Sequence, residues 1–150
     1  MCQNQNPIEC LGCRLALAID PVHIIYETKS VTCILDIEPF QEGHTLILPK
    51  RHLREWTELD PQTSQAITEA AAIVSKAIQD LYKPDGITIC QNGGVFNELG
   101  HFHLHVIPRY EGDGFTWSEP VFEHKAGERL AETGRKIVHA IRQLTSEGKS

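Results

Sequence analysis

The segment Gly100-His101-Phe102-His103-Leu104-His105-Val106-Ile107-Pro108 constrains the fold more tightly than any other stretch of the chain. Histidine and apolar residues alternate through it, and an extended strand sends successive side chains to opposite faces. His101, His103 and His105 therefore share one face, at spacings of about 6.5 to 7 Å. Phe102, Leu104 and Val106 share the other, which must pack against helices. Three imidazoles in register can form a solvated polar face, hold a metal, or do chemistry.

The surrounding sequence supplies the rest of a sheet. Two β-branched runs, His23–Glu27 and Ser30–Ile37, flank a Thr28-Lys29-Ser30 hairpin connection. Gly43–Pro49 predicts a third strand, with Pro49 marking its end or an edge. Ile87–Cys90 predicts a fourth, followed by the turn Asn92-Gly93-Gly94, and Phe102–Pro108 the fifth. Between the third and fourth, Asp60-Pro61 starts a helix with Asp as N-cap and Pro at its first position. Its apolar stripe is Ile67, Ala71, Val74, Ile78 and Leu81, and Pro84-Asp85-Gly86 stops it. Residues 125–146 predict a closing helix with the stripe Leu130, Ile137, Ile141 and Leu144, and Cys13, Leu15, Leu17 and Ile19 make a short helical pattern near the start. No right-handed βαβ series is apparent. The expected class is α+β, an antiparallel five-stranded sheet with two main helices, in one domain spanning residues 1–150.

Composition narrows the function. A hydrophobic share of 41% and a charged share of 23% are those of a soluble globular protein. No apolar run reaches the roughly 20 residues of a membrane span. Met1–Pro7 lacks the basic and apolar regions of a signal peptide, which makes a cytoplasmic location the default. A net charge of −6 argues against nucleic-acid binding, though a small nucleotide can still be held by a few local groups. Five cysteines, an odd number, argue against a disulfide framework. Cys33 and Cys90 lie in apolar runs and read as core thiols.

Solvated strand faces mix Lys, Glu and Thr rather than repeat histidine. Binuclear hydrolases need an Asp close after their paired histidines that this chain lacks. There remains covalent chemistry at phosphorus: a neutral imidazole is nucleophilic near pH 7 and can form a phosphorus–nitrogen intermediate. Such a scheme needs an orienting partner for the second ring nitrogen and donors for the phosphoryl oxygens.

His101-Phe102-His103-Leu104-His105-Val106-Ile107 resembles the signature of the histidine triad (HIT) superfamily of nucleotide hydrolases and transferases. Leu35-Asp36-Ile37-Glu38-Pro39, Gly43–His52, Asn92-Gly93 and Ile107-Pro108-Arg109-Tyr110 resemble family blocks in family order, so the likeness spans roughly residues 8–117. The resemblance implies His103 as nucleophile, with His105 and His44 completing the catalytic pocket. It implies Asn92 on the phosphate side and Asp36 on the ribose hydroxyls. Many members carry Ser or Thr just before the triad, where this chain has Glu98, which would also meet the nucleotide. An ionised carboxylate there repels phosphate, so the leaving group is the least determined part of the expectation. The implied substrates are dinucleoside polyphosphates or nucleoside phosphoramidates, of adenine or guanine, cleaved at the α-phosphate. The alternative is a nucleotide-binding sensor or scaffold with little turnover. The resemblance also implies a homodimer whose two sheets join into ten strands.

In a CxxC-bearing branch of that family, Cys10, Cys13, His52 and His101 would hold a structural zinc in a closed Cys₂His₂ site. Reduced free thiols and a redox pair are the other readings of Cys10-Leu11-Gly12-Cys13, the last disfavoured without a surrounding βαβ unit. No catalytic metal is expected.

Overall fold

The computed structural model describes residues 8–118 and 125–147, so Met1–Pro7 lies outside the described residues. The chain divides into two compact units, one reaching Asp113 and one starting at Gly114. The first holds α1 (Leu11–Ala16), β1 (Ile24–Glu27), β2 (Val31–Leu35), β3 (Thr45–Pro49), α2 (Pro61–Tyr82), β4 (Gly86–Cys90) and β5 (Leu104–Arg109).

The five strands form one sheet in the order β1-β2-β3-β5-β4, every neighbouring pair antiparallel. Each predicted strand is present, but several are shorter than the pattern suggested. β2 stops at Leu35 because the next side chain turns the backbone: Asp36 Oδ1 accepts from the Glu38 N–H at 2.9 Å. β5 starts at Leu104 rather than Phe102, since the Phe102 N–H donates to the Leu53 carbonyl in a loop, at 2.6 Å. Pro49 ends β3, which is central, so it marks an end and not an edge. β3 and β4 both run antiparallel to β5 between them, and so run parallel to each other. α2 is therefore one crossover of a split βαβ unit, which the sequence pattern did not reveal.

Alternation gives the sheet two chemically different faces. Cys33 opposes Ile47, and Ile47 opposes Leu104. With Val31, Phe102 and Val106 they pack against Ile67, Ala70, Ala71, Val74 and Ile78 of α2. Each such fully buried large side chain contributes about 1.5–3 kcal/mol. Asp60 caps α2 as expected, accepting from the Thr63 N–H at 2.9 Å. Leu81, by contrast, is 71% exposed. Tyr82, one residue further on, takes the place against the core, its ring lying on Gly43, whose φ of +93° no side chain favours.

On the opposite face Ile34, Leu46 and Leu48 pack with Ala16, flanked by Leu15, Val22 and Leu99. The short N-terminal helix thus covers the histidine side, and α2 covers the apolar side. α1 ends earlier than its pattern suggested, leaving Leu17 and Ile19 exposed. The Thr32 hydroxyl donates to the Ala16 carbonyl at 2.7 Å and fixes α1 to β2. Cys33 is fully buried as expected, whereas Cys90 is half-buried because β4 is an edge strand.

In the second unit α3 (Leu130–Glu147) forms within the predicted region but starts five residues later, behind a 3-10 turn over Ala126–Arg129. Its stripe of Leu130, Ile137, Ile141 and Leu144 is 52–72% exposed. Periodicity specified the helix but not its burial: the described residues of that unit offer no second layer for the stripe. No helix of the described residues is long and apolar enough to cross a membrane.

Candidate functional site

Alternation in the 101–105 segment carries through even though only His105 lies within β5 proper. Phe102 and Leu104 turn to the α2 core, and the three imidazoles turn to the other side. There they separate into two groups.

His103 and His105 open into a cavity of about 670 Å³, within the usual size range for small-molecule sites. Its floor is His103 and His105; its polar rim carries Asp36, Glu38, Asp20 and Glu98. Leu11 and Leu15 of α1, Val22, Ile34, Leu46 and Leu99 supply apolar walls. His44 sits buried behind His105. Its Nε2 lies 3.0 Å from His105 Nδ1 and 3.6 Å from Asp36 Oδ2, and the Phe40 N–H donates to its Nδ1 at 3.2 Å.

These contacts determine the tautomers. His44 accepts at Nδ1, so its neutral ring carries the proton on Nε2 and donates to His105 Nδ1. His105, accepting at Nδ1, keeps its own proton on Nε2. In His103 the assignment is reversed: Nδ1 lies 2.9 Å from the His101 carbonyl, which can only accept, so Nδ1 is protonated and Nε2 holds a lone pair. Burial pushes His105 down to about 4, helped by neighbouring His103 and His44 and opposed by Asp36. Burial also lowers His44, again against Asp36. Both rings are neutral at pH 7. The donor atoms of Asp36, His44 and His105 lie within 4.8 Å of one another. Because His44 Nε2 and His105 Nδ1 face each other, the trio forms a hydrogen-bond relay that leaves His105 Nε2 free toward the cavity.

His101 turns away from the cavity. Its Nε2–H donates to the Pro49 carbonyl at 2.8 Å, which leaves the Nδ1 lone pair facing Cys13 Sγ at 3.5 Å and Cys10 Sγ at 3.8 Å. His52 Nδ1 is 3.3 Å from Cys13 Sγ. Zinc bonds of about 2.3 Å to sulfur and 2.0–2.1 Å to nitrogen imply a tetrahedral S···N edge of about 3.5 Å. The donor set, the spacing and the carbonyl behind His101 all fit a metal of that kind. The Cys13 N–H also donates to Cys10 Sγ at 3.4 Å. Burial and then Cys10 push the Cys13 thiol up to about 12, so it stays a thiol unless a cation is bound. These four residues could hold a metal ion.

Not every expected residue converges. Asn92 lies two residues past Cys90, which pairs with His105, but it is exposed and does not line the cavity. Its side-chain amide makes no hydrogen bond among the described residues, while its carbonyl accepts from Gln91. Glu98 lines the cavity at its rim. Leu11, Leu15, Asp20, Glu38 and Leu99 line the cavity without having been singled out. The i,i+4 spacing of Leu11 and Leu15 was the available signal for two of them; the carboxylates gave none.

A five-stranded antiparallel sheet, with α2 on one face and a histidine-lined cavity beside α1 on the other, defines an α+β fold built around a histidine-bearing strand. Residues 19–112 match the HIT domain, and the chain belongs to that family. It is 37% identical over 110 residues to a HIT-like protein of Methanocaldococcus jannaschii, covering 70% of this chain and 82% of that one. It is 29% identical to adenylylsulfatase HINT3 of Arabidopsis thaliana, covering 90% of this chain and 68% of that one. Among solved structures, a zinc-bound histidine triad family protein from Mycobacterium smegmatis superposes with a TM-score of 0.68. It is 30% identical, over 90% of this chain and 99% of that one.

Proposed function

We propose that the protein is a nucleotide hydrolase or transferase that attacks the α-phosphate of a nucleoside phosphate derivative through His103. One observation carries this reading: the His101 carbonyl holds the Nδ1 proton of His103, leaving an Nε2 lone pair in a cavity shared with His105 and Asp36. The Nε2 lone pair forms a bond to phosphorus, and the bond from phosphorus to the leaving group breaks. The leaving group departs with that electron pair and takes a proton from the solvent side. The ring then carries positive charge, and its hydrogen bond to the His101 carbonyl becomes charge-assisted and stronger. His105 Nε2–H, kept in place by the His44 relay, donates to a phosphoryl oxygen. Water attacks the phosphorus, loses a proton, and releases the nucleoside monophosphate and His103.

Asp36 is assigned to the ribose diol, which a carboxylate accepts well. Asn92 is assigned to the phosphate side, although it stands outside the cavity lining. Among the described residues neither Lys nor Arg lines the cavity, while Asp20, Asp36, Glu38 and Glu98 do. That balance favours an uncharged or cationic leaving group, as in a nucleoside phosphoramidate, over a polyphosphate. The adenylylsulfatase named among the relatives supports adenylylated substrates in general.

Cys10, Cys13, His52 and His101 are assigned to zinc, whose chemistry at a closed site is structural. For assembly, β4 is an edge strand with Ile89 half-exposed. Pairing of two such edges would give the ten-stranded homodimer; sedimentation of wild type against Ile89→Lys tests it.

The test of the chemistry is mass spectrometry after brief acid-free quenching with an adenosine phosphoramidate. A mass gain of one adenylyl group, absent in His103→Ala, is expected. Tight binding with neither adduct nor product would instead favour a sensor or scaffold.

A further inference from the structure

The four residues of the metal cluster belong to three segments, and each segment also builds part of the cavity. Cys10 and Cys13 hold α1, which contributes Leu11 and Leu15 to the wall. His101 holds the run into His103, whose Nδ1–H rests on the His101 carbonyl. His52 holds a loop that grips the Gly94–Leu99 turn. Glu55 Oε1 accepts from the Gly94 N–H at 3.0 Å, and Asn97 Nδ2 donates to the Arg54 carbonyl at 3.0 Å. That turn carries Glu98 and Leu99 to the rim.

The three limbs are not equally secured without an ion. His101 has the Pro49 carbonyl behind it, and α1 has Thr32. The buried Nε2 of His52 has no hydrogen-bond partner among the described residues, so the cluster itself is what orients this ring.

We infer that occupancy of the Cys10-Cys13-His52-His101 site sets nucleotide affinity, so that this metal and the nucleotide are linked ligands and not a staple beside an independent pocket. The inference rests on the proposed nucleotide site. Linkage is reciprocal: an ion that strengthens nucleotide binding by some factor is itself held more tightly by the same factor when nucleotide is bound.

The experiment uses the zinc-loaded protein with AMP as probe. Zinc release to an excess of a coloured chelator is timed with and without saturating AMP. Release is expected to slow about tenfold with AMP bound. Chelator-stripped protein, checked by circular dichroism for retained fold, is expected to bind AMP about tenfold more weakly by calorimetry. Should stripping unfold the protein, zinc release and chelator competition with and without AMP decide alone, since both start from the loaded form. Leu15→Ala should weaken AMP binding while leaving zinc release in AMP-free protein unchanged; unaltered AMP affinity in that variant would remove α1 from the wall. Equal release rates together with equal zinc affinities in chelator competition, with AMP demonstrably bound, overturn the linkage and leave the nucleotide reading standing. AMP binding to neither form overturns both readings, whereas a protein that takes up no zinc overturns the linkage alone.

Discussion

The Nδ1–H of His103 donates to the main-chain oxygen of His101 across 2.9 Å, so the ring assigned to chemistry is oriented by the residue facing the cysteine–histidine cluster. His103→Ala removes the nucleophile while Asp36, the apolar walls and the His44–His105 relay remain. Turnover is expected to fall by at least about 10³-fold, as for other nucleophile deletions. AMP affinity should change by less than about fivefold, because one neutral hydrogen bond contributes only about 1 kcal/mol. Steady-state kinetics beside calorimetry separates the two effects.

Glu98 stands at the cavity rim, and it is exposed. A rim charge near solvent acts through a high effective dielectric, which limits its effect on a nearby charge to about 1 kcal/mol. Glu98→Ser should therefore raise kcat/KM for dinucleoside polyphosphates relative to phosphoramidates with cationic amines by about five- to tenfold. A substrate panel measures the ratio. Identical ratios in the two proteins would remove Glu98 from leaving-group selection.

Much of this arrangement was legible in the chain, and the reasons are local. A period of two fixed which side of the 101–106 segment meets α2, because a strand has only two faces. Asp60-Pro61 fixed the start of α2 through cap chemistry. The CxxC and two distant histidines were grouped only through family resemblance, since spacing does not say which His52 or His101 nitrogen faces a thiol. What stayed hidden depends on long-range packing. Leu81 and Tyr82 both follow the helical stripe closely enough, and the bulkier ring won the space at Gly43. α1 has six residues, too few for a periodic stripe to say that it covers the histidine face. The Glu55–Gly94 clamp joins residues 39 apart in sequence, and no local pattern marks it. Asn92 had the right neighbours in sequence, yet it sits beyond the end of β4 and outside the cavity lining.

The buried histidines set a pH dependence of stability. His105 is depressed to about 4 and His44 is lowered too, both chiefly by burial. In the unfolded chain each titrates near 6.5. Above that pH both states are neutral and these residues contribute nothing. Between about 6.5 and 4 the unfolded chain takes up protons that the folded protein refuses, so stability falls as pH falls through that window. His101, depressed to about 4 by burial, acts in the same direction when no metal is bound. Urea midpoints from pH 7.5 to 4.5 should therefore decline on the acid side. His105→Gln should flatten the decline; an unchanged slope in that variant would exclude His105 as a contributor.

Gly12 gives the sharpest test of how α1 seats on the triad segment. Its φ is ordinary, so backbone strain plays no part, but a Cβ built there would overlap the Cβ and Cγ of His101. Gly12 and His101 are both buried, and the His101 ring is fixed on its far side by the Pro49 carbonyl. It cannot swing away without losing that bond. Gly12→Ala should then displace α1, and overpacking of this kind costs about 1–3 kcal/mol. Because Cys10 and Cys13 ride on the displaced segment, the variant should also hold less than one zinc per chain after dialysis. Gly127→Ala is the control: nothing lies within 4 Å of its added Cβ. Thermal melts and metal analysis of the two variants, side by side, read both effects. Full zinc content with wild-type stability in Gly12→Ala would mean that α1 does not sit against His101 as described.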